Sequence, residues 1–220
     1  MPAEGRDEDL LLGSNSPPRC LETGMRNQSM GLDSSAGKSV ALSPRRETDR
    51  VRIITETIVM VALAGALYLI KIFTLPQGGS VTLGSMVPIF LLALRRGPRI
   101  GIVGGVAFGL VALVEDVYSG VEVIFYPAQV ILDYPLAFGL LGLAGFFQKI
   151  PILGVGLGIA ARFCSHFVSG VLFFASYAPA GVSPFVYSAV YNGGFLIPEF
   201  VITAALMIAL VRVRALERYL

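Results

Sequence analysis

The chain has 220 residues, of which 55% are hydrophobic and only 15% charged, with a net charge of +2. A mean hydropathy of +0.73 excludes an ordinary soluble domain and fits an all-α, polytopic membrane protein. Cys20 and Cys164 fall one in a polar tail and one inside an apolar span, which offers neither a structural disulfide nor a metal site. Nothing calls for a cofactor or a nucleic-acid partner; the partner that the composition does imply is the lipid bilayer.

Residues 1–50 are rich in Gly, Ser, Asp, Glu and Arg, with Leu10-Leu11-Leu12 as their one short apolar run. That composition predicts a disordered tail, because it cannot bury enough surface to order itself. Gly37-Lys38-Ser39 has the end of a phosphate loop, but Gly31 stands one residue too far upstream and no strand precedes it. Residues 51–220 form the predicted membrane domain. Six spans are expected, at about 52–74, 82–95, 99–118, 124–147, 152–177 and 185–212, judged against the ~20 residues that cross ~30 Å of hydrocarbon. The second is short. It has to tilt little, or be completed by irregular backbone around Gly78-Gly79 and Gly84, which survives only where protein or water shelters it.

Six spans put both termini on one side, and that side gathers Arg45, Arg46, Arg50, Arg52, Arg95, Arg96, Arg99, Lys149, Arg212, Arg214 and Arg218. The opposite loops, 75–84, 115–123 and 178–184, carry no Lys or Arg. The positive-inside rule therefore predicts cytoplasmic termini in a multi-pass plasma-membrane protein.

Span 4 contains an acid, Asp133. A carboxylate at that depth costs a few kcal/mol unless something pairs with it. At 1.5 Å per residue, Asp133 lies ~9–14 Å below the outer end of its span, His166 ~15 Å, Tyr187 ~3 Å and Asn192 ~10 Å. All four fall in the outer half of the bilayer, on three spans that can adjoin. Two readings stand side by side: a buried Asp133–His166 pair that only joins helices, and a pocket in which both face a ligand with Tyr187 and Asn192. Phe174, two turns after His166, either lines that pocket or belongs to the aromatic belt. Arg162 and Glu199 sit deeper and are read as a structural ion pair; Glu56 is read as solvated at the inner boundary. Pro135 weakens the helix ladder just past Asp133. With a carboxylate and no Lys or Arg read in the outer half, the guest expected is a flat, singly cationic, polar molecule.

Four motifs carry a resemblance: Val87-Pro88-Ile89-Phe90-Leu91-Leu92-Ala93-Leu94-Arg95-Arg96-Gly97, Gln129-Val130-Ile131-Leu132-Asp133-Tyr134, His166-Phe167-Val168-Ser169-Gly170 and Tyr187-Ser188-Ala189-Val190-Tyr191-Asn192-Gly193. In this order, over residues 51–214, the chain resembles the thiamine-specific S component of energy-coupling factor transporters. The resemblance implies a six-helix protein that takes thiamine from outside and works with a transmembrane coupling subunit and two cytoplasmic ATPases. It implies substrate contacts at Asp133, Tyr134, His166, Phe174, Tyr187 and Asn192, and a coupling-subunit face at Ala62 and Ala66. It departs from the family near Gly79, where a tryptophan would fall, and near Val123, where a tyrosine would fall; Phe125 or Tyr126 is the expected substitute for stacking. The loop with Gln77, Gly78 and Gly79 is expected to close over the guest. Thiamine precursors or other cationic heterocycles remain alternative guests. A stand-alone secondary carrier would be expected to show paired interrupted repeats, and an enzyme would need more than one histidine and one acid; neither is seen.

Overall fold

A computed structural model describes residues 44–120 and 126–212. The expectations for the tail, for Val123 and Phe125, and for Arg214 and Arg218 lie outside the described residues. Six helices follow one another: α1 (Pro44–Tyr68), α2 (Val87–Arg96), α3 (Pro98–Tyr118), α4 (Pro127–Phe147), α5 (Pro151–Phe173) and α6 (Pro184–Arg212). Proline opens α3, α4 and α5 at the first helical turn, where its missing N–H costs no hydrogen bond. Five of the six, all except α2, are long and apolar enough to span a bilayer. Ile54, Ile58 and Val59 on α1 and Val190, Ile197 and Val201 on α6 are exposed, the apolar exterior that lipid demands.

The short second span is resolved by the second of its two options. α2 has 10 residues, about 15 Å of helix, so half the crossing is left to other backbone. That half is supplied by an antiparallel hairpin, β1 (Lys71–Thr74) and β2 (Ser80–Thr82), paired Lys71 with Thr82, Phe73 with Val81 and Thr74 with Ser80. Among the described residues this hairpin is the departure from an all-helical fold. Gly78 and Gly84 adopt positive φ, of 91° and 79°, and make the turns on either side of β2. Extended backbone at this depth is possible because Ser80, Val81 and Thr82 are buried by the helices, and the Thr82 N–H donates to Glu199 Oε1 at 3.3 Å. α2 itself is the buried centre of the bundle: Ile89, Phe90 and Leu92 are fully enclosed.

Close helix contacts rest on glycine. A Cβ on Gly109 of α3 would stand 2.5 Å from the carbonyl oxygen of Tyr134, and one on Gly105 would meet that of Phe138. α3 and α4 therefore touch backbone to backbone, which small residues allow and any larger side chain forbids. Beside this seam Tyr68, Phe108 and Phe138 pack edge to face, with centroids 4.7 to 6.1 Å apart.

The basic ends of the elements meet as the charge pattern requires. Gly97 lies beside Gln148, and Glu56 accepts from Arg96 Nε at 2.8 Å and pairs with Arg95 at 3.3 Å. The reading of Glu56 as simply solvated is thus corrected: it neutralises two like charges that the α2 terminus brings together.

Candidate substrate-binding site

At the hairpin end of the bundle, the helices and the hairpin turn enclose a cavity of about 80 Å³ that opens toward the surface, a concave site of the kind that holds small molecules. Asp133, Tyr134, His166, Phe174, Tyr187 and Asn192 all line it. Six residues named from the sequence thus come together on three helices. Local chain chemistry explains the first two. Pro135 has no N–H to give, and the helix around it, Leu132–Leu136, widens into a π turn. Asp133 turns toward α5, while the adjacent Tyr134 reaches α3.

Asp133 is held but not neutralised. Its Oδ2 accepts from Ser169 Oγ at 2.8 Å, and its Oδ1 lies 3.1 Å from His166 Nδ1. Asn192 spends its Nδ2 on the Ser188 carbonyl (2.9 Å) and the His166 carbonyl (3.3 Å). What it can offer a guest is its amide oxygen, an acceptor suited to an amine. Gly170, where a Cβ would collide with Ser188, lets α5 and α6 approach closely enough for these bonds. Phe174, Tyr187, Tyr191 and Phe195 supply aromatic walls; the Tyr187 and Tyr191 rings stack at 6.0 Å.

The hairpin turn covers the mouth. Tyr187 Oη donates to Gln77 Oε1 at 3.3 Å, and the Gly79 N–H donates to Tyr191 Oη at 3.1 Å. A Cβ at Gly79 would come 2.8 Å from the Phe195 ring and 3.0 Å from Tyr191 Oη. The position where the family resemblance expects a tryptophan therefore has no room for a side chain, and Tyr191 with Phe195 fills the space instead. Tyr126 is not the substitute: it packs on Phe173 at 5.5 Å and does not line the cavity.

Two sequence readings need correction. The Arg162–Glu199 ion pair is present, with Nη1 3.1 Å from Glu199 Oε2, but Arg162 is not purely structural: one turn before His166, it lines the same cavity, its guanidinium 4.1 Å above the Phe138 ring. Nor is the hairpin end free of cations. Lys71 pairs with Asp116 at 2.5 Å, and Asp116, only 1% exposed, also accepts from Tyr68 Oη (2.9 Å) and Tyr134 Oη (2.8 Å). Lys71 and Asp116 were missed because one was counted into an apolar span and the other into a loop. A usable signal existed: Lys71 is the sole Lys or Arg between Arg52 and Arg95, and a lone intramembrane cation asks for an acid at its own level. The correction does not reverse the electrostatics. Arg162 is matched by Glu199 and Lys71 by Asp116, so the charge of Asp133 remains in excess.

Fold and site together define a membrane-embedded bundle with a covered, singly anionic, aromatic-walled cavity, the form of a solute-binding transport protein. The family profile "Thiamine transporter protein (Thia_YuaJ)" matches residues 54–217, and the chain belongs to that family, whose members move a solute rather than convert it. It is accordingly a multi-pass cell-membrane protein and not an enzyme. Among its relatives is the thiamine transporter ThiT of Bacillus subtilis, 31% identical over 71% of this chain and 85% of that one. ThiT of Lacticaseibacillus paracasei is 34% identical over 69% and 82% of the two chains. A solved structure of ThiT from Listeria monocytogenes superimposes with a TM-score of 0.65 at 26% identity, covering 74% of this chain and 95% of that one.

Proposed function

We propose that this chain is the substrate-binding component of an energy-coupling-factor-type vitamin transporter, which captures thiamine from outside and delivers it through an ATP-driven module. The excess charge on Asp133 carries the reading, because it attracts one cation and a flat ring can stand against the neighbouring aromatics. The Asn192 amide oxygen suits the aminopyrimidine. The names borne by the relatives point to the same vitamin. Asp133, Tyr134, His166, Phe174, Tyr187 and Asn192 are the substrate contacts in this reading, with the Gln77–Gly79 turn as the lid.

The basic helix ends face the cytoplasm and the hairpin faces outward, in keeping with the positive-inside rule. Ala62 and Ala66 are exposed, one turn apart on α1, and offer the flat strip that a helix of the coupling subunit needs for close approach. Two cytoplasmic ATPases complete the assembly.

Binding of labelled thiamine to the purified chain, without ATPases, is the test. Saturable 1:1 binding with no transport by the chain alone in liposomes is expected. Transport by the chain alone would replace this reading with a secondary carrier, and preference for a precursor would replace the substrate. Ala62→Trp with Ala66→Trp is expected to keep thiamine binding and abolish co-purification with the coupling subunit.

A further inference from the structure

His166 stands between two charged groups, and donor accounting assigns its proton. Arg162 Nε lies 3.2 Å from His166 Nε2. Guanidinium nitrogens only donate, so Nε2 has to be the accepting, unprotonated nitrogen. The single ring proton is then on Nδ1, where it donates to Asp133 Oδ1 at 3.1 Å. An imidazolium would set an N–H on Nε2 head-on against the Arg162 N–H, two donors of like charge in contact.

We propose that Arg162 is a positioning residue that holds His166 neutral with its proton on Nδ1, so that Asp133 keeps its whole charge for a cationic ligand. The ligand clause rests on the proposed function; the protonation clause does not. Without Arg162, Nε2 could take a proton and His166 would become the counter-ion of Asp133, occupying electrostatically the place of the guest.

The rest of the surroundings serve this arrangement. Glu199 of α6, 2% exposed, neutralises Arg162 and fixes its plane. Glu199 is itself held by Thr82 Oγ1 at 2.6 Å and by the Thr82 N–H, which ties the device to the strand that leads out of the lid. Met86 Sδ takes a further Arg162 N–H at 2.8 Å. The Phe195 ring meets His166 edge-on at 5.7 Å. Among the described residues the remaining charge lining the cavity is Asp116 on α3, paired with Lys71 of β1; Glu115, beside them, lies outside the lining. Arg162 thus acts through His166, on a ring it orients rather than on the guest.

The chain has one histidine, so a ¹⁵N-histidine-labelled sample purified without a histidine tag gives two side-chain nitrogen signals, told apart by their long-range couplings to the ring hydrogens. In the ligand-free wild type at pH 6.0, the expected spectrum has a protonated Nδ1 and an unprotonated Nε2. A protonated Nε2, in either the other tautomer or an imidazolium, overturns the proposal. Arg162→Met combined with Glu199→Gln removes the pair without stranding a charge. It frees Nε2 of its guanidinium donor and is expected to show a larger share of protonated Nε2 than the wild type at that pH, and to lose thiamine affinity severalfold while binding of a neutral pyrimidine changes little. A double variant with the wild-type spectrum also overturns the proposal. Should neither protein bind thiamine, the proposed function fails, and the wild-type spectrum still decides the protonation claim.

Discussion

Asp133→Asn removes one charge from the cavity and changes little else. The Asn oxygen can still accept from His166 Nδ1, and Ser169 can turn from donor to acceptor toward the new amide. The carboxylate it replaces is 16% exposed, Asp116 at the cavity has Lys71, and Glu199 behind it has Arg162. A singly charged ring about 4 Å away is attracted by ~4 kcal/mol at an effective dielectric constant of ~20. Shedding water from both partners takes back part of this, leaving ~2–4 kcal/mol, or a Kd raised by ~30- to 1,000-fold. The chain has no tryptophan, so calorimetry on the detergent-purified protein is the suitable assay, with the neutral pyrimidine half of thiamine titrated in parallel. Thiamine should lose affinity and the pyrimidine should not. An Asn variant with unchanged melting behaviour that binds thiamine as tightly as wild type would refute the electrostatic argument.

Other consequences follow from the lid, the buried pair and the glycine seam. Tyr191→Phe removes the acceptor of the Gly79 N–H; at ~1 kcal/mol for a hydrogen bond, thiamine should dissociate ~5-fold faster in stopped-flow displacement, with little change in melting temperature. Glu199→Ala strands the Arg162 charge inside the bundle and removes the partner of Thr82. That should destabilise the fold by ~3–5 kcal/mol and lower the melting temperature in detergent by about 10 °C, whereas Glu199→Gln, which keeps the Thr82 bonds, should cost less. Gly109→Val drives a side chain into the Tyr134 carbonyl; it should displace the π turn and abolish binding even in protein that still elutes as a folded monomer on size exclusion.

Much of the site was legible because its signals are local. Asp133, His166, Tyr187 and Asn192 are the polar interruptions of apolar spans, and counting 1.5 Å per residue along alternating spans puts them at one level without knowing any contact. Pro135 announced a weak point in α4 for the same reason, since a missing N–H is a property of the residue itself. Arg162 was misplaced by the same arithmetic. Depth along a helix says nothing about which way a long side chain reaches, and this one extends one turn toward His166. The hairpin was half legible: its glycines marked irregular backbone, but seven strand residues inside an apolar tract look like part of a helix until something shelters them.

From the residues alone came the membrane, the six segments, the basic ends and the ring of polar groups, because hydropathy and helical rise are one-dimensional quantities summed along the chain. Only the tertiary structure decided which charges cancel. Lys71 meets Asp116 across 45 residues, and Thr82 meets Glu199 across 117. Pairings of that span are set by how the helices pack, here through backbone contact at Gly105 and Gly109. Among the described residues that line the cavity, they leave Asp133 as the charge with no Lys or Arg beside it.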